Sequence, residues 1–193
     1  FICRYLIVFF YIKIFDKLCL KWYHIILYLT HTKNQVKFRG RMIIMKKYNV
    51  GIIGATGMVG QRFSLLLCDH PWFNVTALAA SSSSAGKTLG EAVEGRWAMT
   101  EEIPQNLKDM VVLDAEKDID EIVSKVDFVF CAVNMKKDEI KALEEKYAKK
   151  ECPVVSNNSA HRFTADVPMI IPEINSEHLD VIPSQRERLG TKK

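Results

Sequence analysis

The sequence predicts an α/β fold built on a doubly wound parallel sheet. An apolar run, Tyr48-Asn49-Val50-Gly51-Ile52-Ile53, enters a glycine-rich turn from which a helical pattern departs. Strand-like and helix-like segments then alternate along the rest of the chain. Asp127-Phe128-Val129-Phe130-Cys131-Ala132-Val133 is apolar almost throughout, as suits a parallel strand covered on both faces.

The first strand spans 48–53. The helix after it runs to Asp69, with Met58, Val59, Phe63, Leu66 and Leu67 recurring at three- and four-residue spacing. His70-Pro71 stops it, because proline cannot continue a helix. Residues 74–79 read as the second strand, 80–87 as a polar, flexible loop, and 88–109, which carry Trp97, as irregular. A short strand at 110–113 precedes a helix at 119–124, which Asp118 is placed to cap with Glu121 three residues on. After the strand at 127–133, residues 136–150 are mostly charged, with Ile140, Leu143, Tyr147 and Ala148 as the apolar stripe of an amphipathic helix with a solvated charged face. Strands at 152–156 and 169–171 complete the series.

Gly54-Ala55-Thr56-Gly57-Met58-Val59-Gly60 carries the chemistry. The spacing is GxxGxxG, not the more frequent GxGxxG, but the strand–turn–helix context gives it meaning. Gly54 allows the tight turn, Gly57 lets a pyrophosphate approach the backbone, and Gly60 lets the helix pack close to the strand. The phosphates then meet the open N–H groups and positive end of the helix, the arrangement of a Rossmann-like dinucleotide site.

Composition narrows the function further. The chain has 193 residues, 48% hydrophobic, enough for one domain with an extension. Its net charge of +4 is uneven: residues 1–44 carry +7 and the remainder −3. The domain itself is thus mildly acidic and offers nothing to attract nucleic acid. Cys3, Cys19, Cys68, Cys131 and Cys152 show no paired spacing, as expected of reduced thiols in a cytoplasmic protein. His24, His31, His70, His161 and His178 are scattered, so no metal is expected.

Residues 1–44 do not read as part of the domain. The apolar run from Leu6 to Ile12 is far shorter than the roughly 20 residues a membrane span needs. No small-residue cleavage site follows it, so a signal peptide is not expected either. Met42 and Met45 are the first methionines. We read 1–44 as upstream sequence outside the domain and 45–193 as the nucleotide-binding domain.

The second strand indicates which dinucleotide. A site for NAD places a carboxylate at its end, where it accepts from the ribose 2′-OH. Here that place holds Ala79-Ala80-Ser81, with no acid before Glu91. The hydroxyls of Ser81 and Ser84, the amide of Gly86 and the cation of Lys87 suit a 2′-phosphate instead, so NADP is the expected cofactor.

The motifs GATGMVGQRF at 54–63, AASSSSAG at 79–86, SNNSAHR at 156–162 and VPMIIPEIN at 167–175 together resemble the N-terminal domain of aspartate-semialdehyde dehydrogenase, most like the archaeal and fungal branch. The resemblance covers residues 45–190 or so. It implies reduction of L-aspartyl-4-phosphate by NADPH through a cysteine thioacyl enzyme, with a histidine as acid/base, in lysine, threonine and methionine biosynthesis. It implies that Thr56, Gly57, Met58 and Val59 contact NADP, that Ser81 and Ser84 lie near its 2′-phosphate, and that Arg162 holds the acyl phosphate, which its guanidinium fork suits. The family's nucleophile lies in an Asn-Cys pair that none of the five cysteines matches. Cysteine, histidine and the substrate and dimerisation domain are thus expected beyond Lys193, in a homo-oligomer, and the chain alone is expected to lack turnover. N-acetyl-γ-glutamyl-phosphate reductase, malonyl-CoA reductase and a non-catalytic NADP-binding module are the alternatives.

Overall fold

The computed structural model describes residues 47–192 and the backbone of two short strands before them. Those two, β1 (Val36–Phe38) and β2 (Arg41–Ile43), pair antiparallel with each other. The remaining expectations for residues 1–44, and Cys3 and Cys19, lie outside the described residues.

The domain is a five-stranded parallel sheet of β3 (Tyr48–Ile53), β4 (Phe73–Ala80), β5 (Val112–Asp114), β6 (Phe128–Cys131) and β7 (Val154–Ser156). Their spatial order is β5-β4-β3-β6-β7. The chain starts in the middle, builds outward through β4 and β5, then crosses to the other side of β3. That reversal between β3 and β6 is the switch point at which a doubly wound sheet opens a crevice at its carboxyl edge.

Successive side chains of a strand face opposite sides. Val50 and Ile52 of β3 therefore join Leu78, Ala80, Val112, Phe128 and Phe130 in one apolar layer, with Phe63 and Leu67 of α1 (Met58–Leu67) over it. Ile53 joins Ala77, Ala79, Val129 and Cys131 in the other. That layer is closed by Ile122 of α4 (Ile119–Lys125) and by Leu143 and Tyr147 of α5 (Lys137–Lys149). Burial on both faces is why these strands are apolar without alternation.

Several local expectations are corrected. Residues 88–109 are not wholly irregular: α2 (Leu89–Ala92) and α3 (Gln105–Lys108) form there. Thr88 and Glu91 cap α2 reciprocally, N–H to Glu91 Oε2 at 2.9 Å and Glu91 N–H to Thr88 Oγ1 at 3.3 Å. The Asp118 side chain does not cap α4; its carboxylate accepts the N–H of Asp114 at 2.8 Å instead.

The stripe read on α1 is also turned. Met58, Val59 and Leu66 are exposed, whereas Gly60, Gln61, Ser64 and Leu67 are buried. The helix approaches the β3 turn so closely that only small or hydrogen-bonded side chains fit between them.

Residues 169–171 do not form a strand. Asn175 of α6 (Pro172–Asn175) takes the Ile171 N–H at 2.7 Å and donates to the Met169 carbonyl at 2.9 Å. The backbone groups a sheet would have satisfied are satisfied locally. A 3-10 turn at Ser176–Val181 then leads to α7 (Ile182–Leu189). Arg188 fastens α7 to Asp166 at 2.5 Å and to Glu145 of α5 at 2.8 Å.

Candidate functional site: a cleft at the carboxyl edge of the sheet

The turn after β3 is fixed from three sides. The N–H groups of Gly54 and Ala55 both donate to the Ala79 carbonyl of β4, at 2.8 and 3.0 Å. Gly54 adopts a left-handed φ of 90°, and a Cβ there would lie 2.6 Å from the Ala132 carbonyl oxygen. At Gly60 a Cβ would stand 2.1 Å from the Gly54 carbonyl oxygen. Tight turn and close helix packing therefore both require glycine.

Gln61, not singled out in the sequence, is 2% exposed and acts as a clamp. Its amide donates to the carbonyls of Thr56 at 3.0 Å and Arg96 at 3.1 Å, and accepts from the Ala98 N–H at 2.8 Å. A buried amide so fully used holds the turn rigid against the 96–98 segment.

α1 begins at Gly57 with no side-chain cap and no acid in its first turn. The N–H groups of Met58, Val59 and Gly60 have no intrahelical acceptor. With the helix dipole behind them they form a place for an anion. Gly57 is exposed, and a Cβ there would meet nothing nearer than the Gly54 carbonyl oxygen at 3.4 Å, so its bare backbone faces open space.

In front of this turn lies a cleft of about 360 Å³. It collects the ends of four strands: Gly54, Thr56 and Gly57 after β3, Ala80, Ser81 and Ser82 after β4, Asp114 to Lys117 after β5, and Ala132 to Met135 after β6. The residues after β5 and β6 were missed in the sequence. The signal for them was the residue following each apolar run, since a doubly wound sheet brings those positions to one edge.

Of the residues expected at the second strand's end, Ser81 lines the cleft and Ser82 joins it. Ser84 is 3% exposed and outside the lining; its N–H donates to the Ser81 carbonyl at 2.9 Å and closes the turn. Lys87 is also outside the lining. The cleft's two acids, Asp114 and Glu116, are at the end of β5: Asp114 Oδ1 accepts the N–H groups of Glu116 and Lys117 at 2.9 and 3.1 Å. Burial pushes the Asp114 pKa up, but those bonds and the Lys117 ammonium outweigh it, and the carboxyl is held below its usual value.

Arg162 follows β7 in the loop 157–162, exposed and outside the cleft lining. The thiols do not belong to the cleft either. Cys131 and Cys152 are buried, and burial pushes both pKa values up, that of Cys152 to about 12. No group of acids, histidines or cysteines fit to hold a metal occurs among the described residues, and no helix among them is long and apolar enough to cross a membrane. A rigid turn with open N–H groups, at the switch point of a parallel sheet, can seat the pyrophosphate of a dinucleotide.

The model of a family described as semialdehyde dehydrogenase, NAD binding domain, matches residues 49–182. The aspartate-semialdehyde dehydrogenase of Archaeoglobus fulgidus is 44% identical over 146 residues, 75% of this chain and 40% of that protein. That of Methanothermobacter thermautotrophicus is 46% identical over 142 residues, 74% of this chain and 39% of that protein. Among solved structures, aspartate semialdehyde dehydrogenase with NADP from Candida albicans aligns with a TM-score of 0.65 at 38% identity, covering 77% of this chain and 40% of that one. The chain spans about 40% of the length of the curated relatives it matches.

Proposed function

The chain belongs to the semialdehyde dehydrogenase family through its NAD-binding domain, and on that premise we propose that it is the NADP-binding part of an aspartate-semialdehyde dehydrogenase. The observation that carries the cofactor is the tip of β4. It presents Ala80, Ser81 and Ser82 to the cleft, where an NAD site would place a carboxylate. An acid there would repel a 2′-phosphate, whereas hydroxyls receive one.

Residues 45–193 form this domain in the proposal, with 1–44 outside it. Gly54, Thr56, Gly57, Met58, Val59 and Gly60 seat the pyrophosphate, Ser81 receives the 2′-phosphate, and Ser84 supports that turn. Arg162 holds the phosphate of L-aspartyl-4-phosphate. Bound NADPH supplies the hydride that gives the semialdehyde. The setting is cytoplasmic and the complete enzyme a homo-oligomer.

The 193-residue chain by itself binds cofactor without turnover, a reading supported by the burial of Cys131 and Cys152 and their raised pKa values. A thiol kept protonated and enclosed is a poor nucleophile. Titrating the chain with NADP and NAD tests the cofactor; equal or tighter binding of NAD sinks it. Incubating it with L-aspartate 4-semialdehyde, inorganic phosphate and NADP tests the silence, and formation of NADPH refutes it.

A further inference from the structure

In this fold the adenosine ribose of a dinucleotide lies at the tip of the strand after the glycine turn, here β4. Ser81 and Ser82 offer hydroxyls there, but a phosphate dianion in a cleft is held best when a cation joins them. Lys87, the cation nearest the serine run in sequence, is not among the residues lining the cleft. Gly86 N–H donates to the Val112 carbonyl and Val112 N–H to the Lys87 carbonyl, both at 2.8 Å. The chain at Lys87 has thus returned along the free edge of β5, level with Val112 and two residues short of the strand end at Asp114.

Lys117 stands where Lys87 was expected. Ala80 and Asp114 are register partners, and the Ala115 N–H donates to the Ala80 carbonyl at 2.9 Å. The turn 115–117 therefore lies flush against the start of the serine turn. Lys117 is the cation among the residues lining the cleft. Its Nζ is 3.7 Å from Asp114 Oδ2 with the side chain 77% exposed, a loose pair from which the ammonium can swing. Asp114 itself is committed to the turn through the N–H groups of Glu116 and Lys117.

We propose that Lys117 is the residue that makes this cleft prefer NADP to NAD. Its ammonium, with the hydroxyls of Ser81 and Ser82, receives the 2′-phosphate, while Asp114 holds the turn that presents it. The assignment rests on the NADP reading above. With NAD there is no 2′-phosphate to receive, so the loss of Lys117 is silent toward NAD.

The test is calorimetric titration of the full 193-residue chain with 2′,5′-ADP and 5′-AMP, then with NADP and NAD. Lys117→Ala is expected to weaken 2′,5′-ADP and NADP about tenfold and to leave 5′-AMP and NAD within about twofold. Lys117→Arg keeps the preference, Lys87→Ala leaves it unchanged, and added salt erodes it in the parent. If the parent prefers 2′,5′-ADP to 5′-AMP but Lys117→Ala does so equally, the assignment is wrong and the NADP reading stands. A preference abolished by Lys87→Ala instead also overturns it. A parent without any preference overturns the NADP reading and the assignment with it.

Discussion

Glu144 Oε1 accepts a hydrogen bond from Ser156 Oγ at 2.5 Å, joining α5 to the end of β7. The Asn158 amide donates to the same oxygen at 3.2 Å, and the Asn158 N–H to Ser156 Oγ at 3.0 Å. His161 Nε2 lies 3.9 Å from Glu144 Oε2, the two side chains being 12% and 6% exposed. The loop that carries Arg162 thus hangs on one buried helix carboxylate.

Removing that carboxylate leaves the half-buried Ser156 hydroxyl without its acceptor and takes one of two acceptors, the other being Cys131 Sγ, from the Asn158 amide. Glu144→Ala is expected to destabilise the chain by about 1–3 kcal/mol in urea unfolding. Glu144→Gln costs less, because its amide oxygen still accepts. Adding Ser156→Ala to Glu144→Ala costs less than the sum of the singles, as partners in one network do. A Glu144→Ala stability equal to the parent's contradicts the network.

Gly57 and Gly60 separate binding from folding. A Cβ at Gly60 would lie 2.1 Å from the Gly54 carbonyl oxygen and 2.7 Å from Ala55 Cα, so backbone must move. Gly60→Ala is expected to lose about 1–3 kcal/mol of stability, and dinucleotide binding with it. At Gly57 the φ of −77° suits any residue and the nearest atom is 3.4 Å away. Gly57→Ala therefore keeps the parent melting temperature but weakens NADP at least about tenfold, because the added methyl occupies the pyrophosphate's approach. Unchanged NADP affinity in Gly57→Ala argues against the seat proposed for the pyrophosphate.

His70 makes stability depend on pH. Burial, with the Lys47 ammonium adding to it, lowers its pKa from 6.5 to about 4. The ring stacks on Phe73 with centroids 4.5 Å apart, and Nδ1 accepts the Trp72 N–H at 3.2 Å, which requires a neutral nitrogen. Above pH 6.5 both folded and unfolded states are neutral here. As pH falls toward 4 the unfolded chain takes up the proton first, so stability is lost across that window. Melting temperatures are expected to fall more steeply in the parent than in His70→Phe between those limits. Parallel curves would rule His70 out as the cause.

Cys131 and Cys152 are expected to resist iodoacetamide at pH 8 in the folded chain and to react in urea. Burial raises both pKa values, and at Cys131 the nearby Glu144 carboxylate adds to it. Mass-spectrometric mapping of labelled peptides checks this, and rapid labelling of either thiol in the native chain goes against it.

Local pattern reaches far in this chain. Strand, glycine turn and helix at 48–67 are visible because proximity in sequence is proximity in space there. The same holds for the buried strand at 128–131, whose apolar run has one explanation. The α5 stripe of Ile140, Leu143 and Tyr147 is likewise set by helical period alone.

Contacts between distant segments set the rest. Glu144 reads as a solvated charge until the hydroxyl and amide after β7 arrive to meet it. Met58, Val59 and Leu66 read as a core stripe until the close approach of α1 to Gly54 turns them outward. Residues 169–171 read as a strand until Asn175 takes their backbone bonds.

By itself, then, the sequence determined a doubly wound sheet, the glycine turn at its centre and the serine run that points to NADP, because each is written in neighbouring residues. Only the tertiary structure decided which cation lines the cleft with those serines, Lys117 and not Lys87, and which carboxylate is buried. Those choices depend on strand register and on hydrogen bonds between residues far apart in sequence, which no local pattern records.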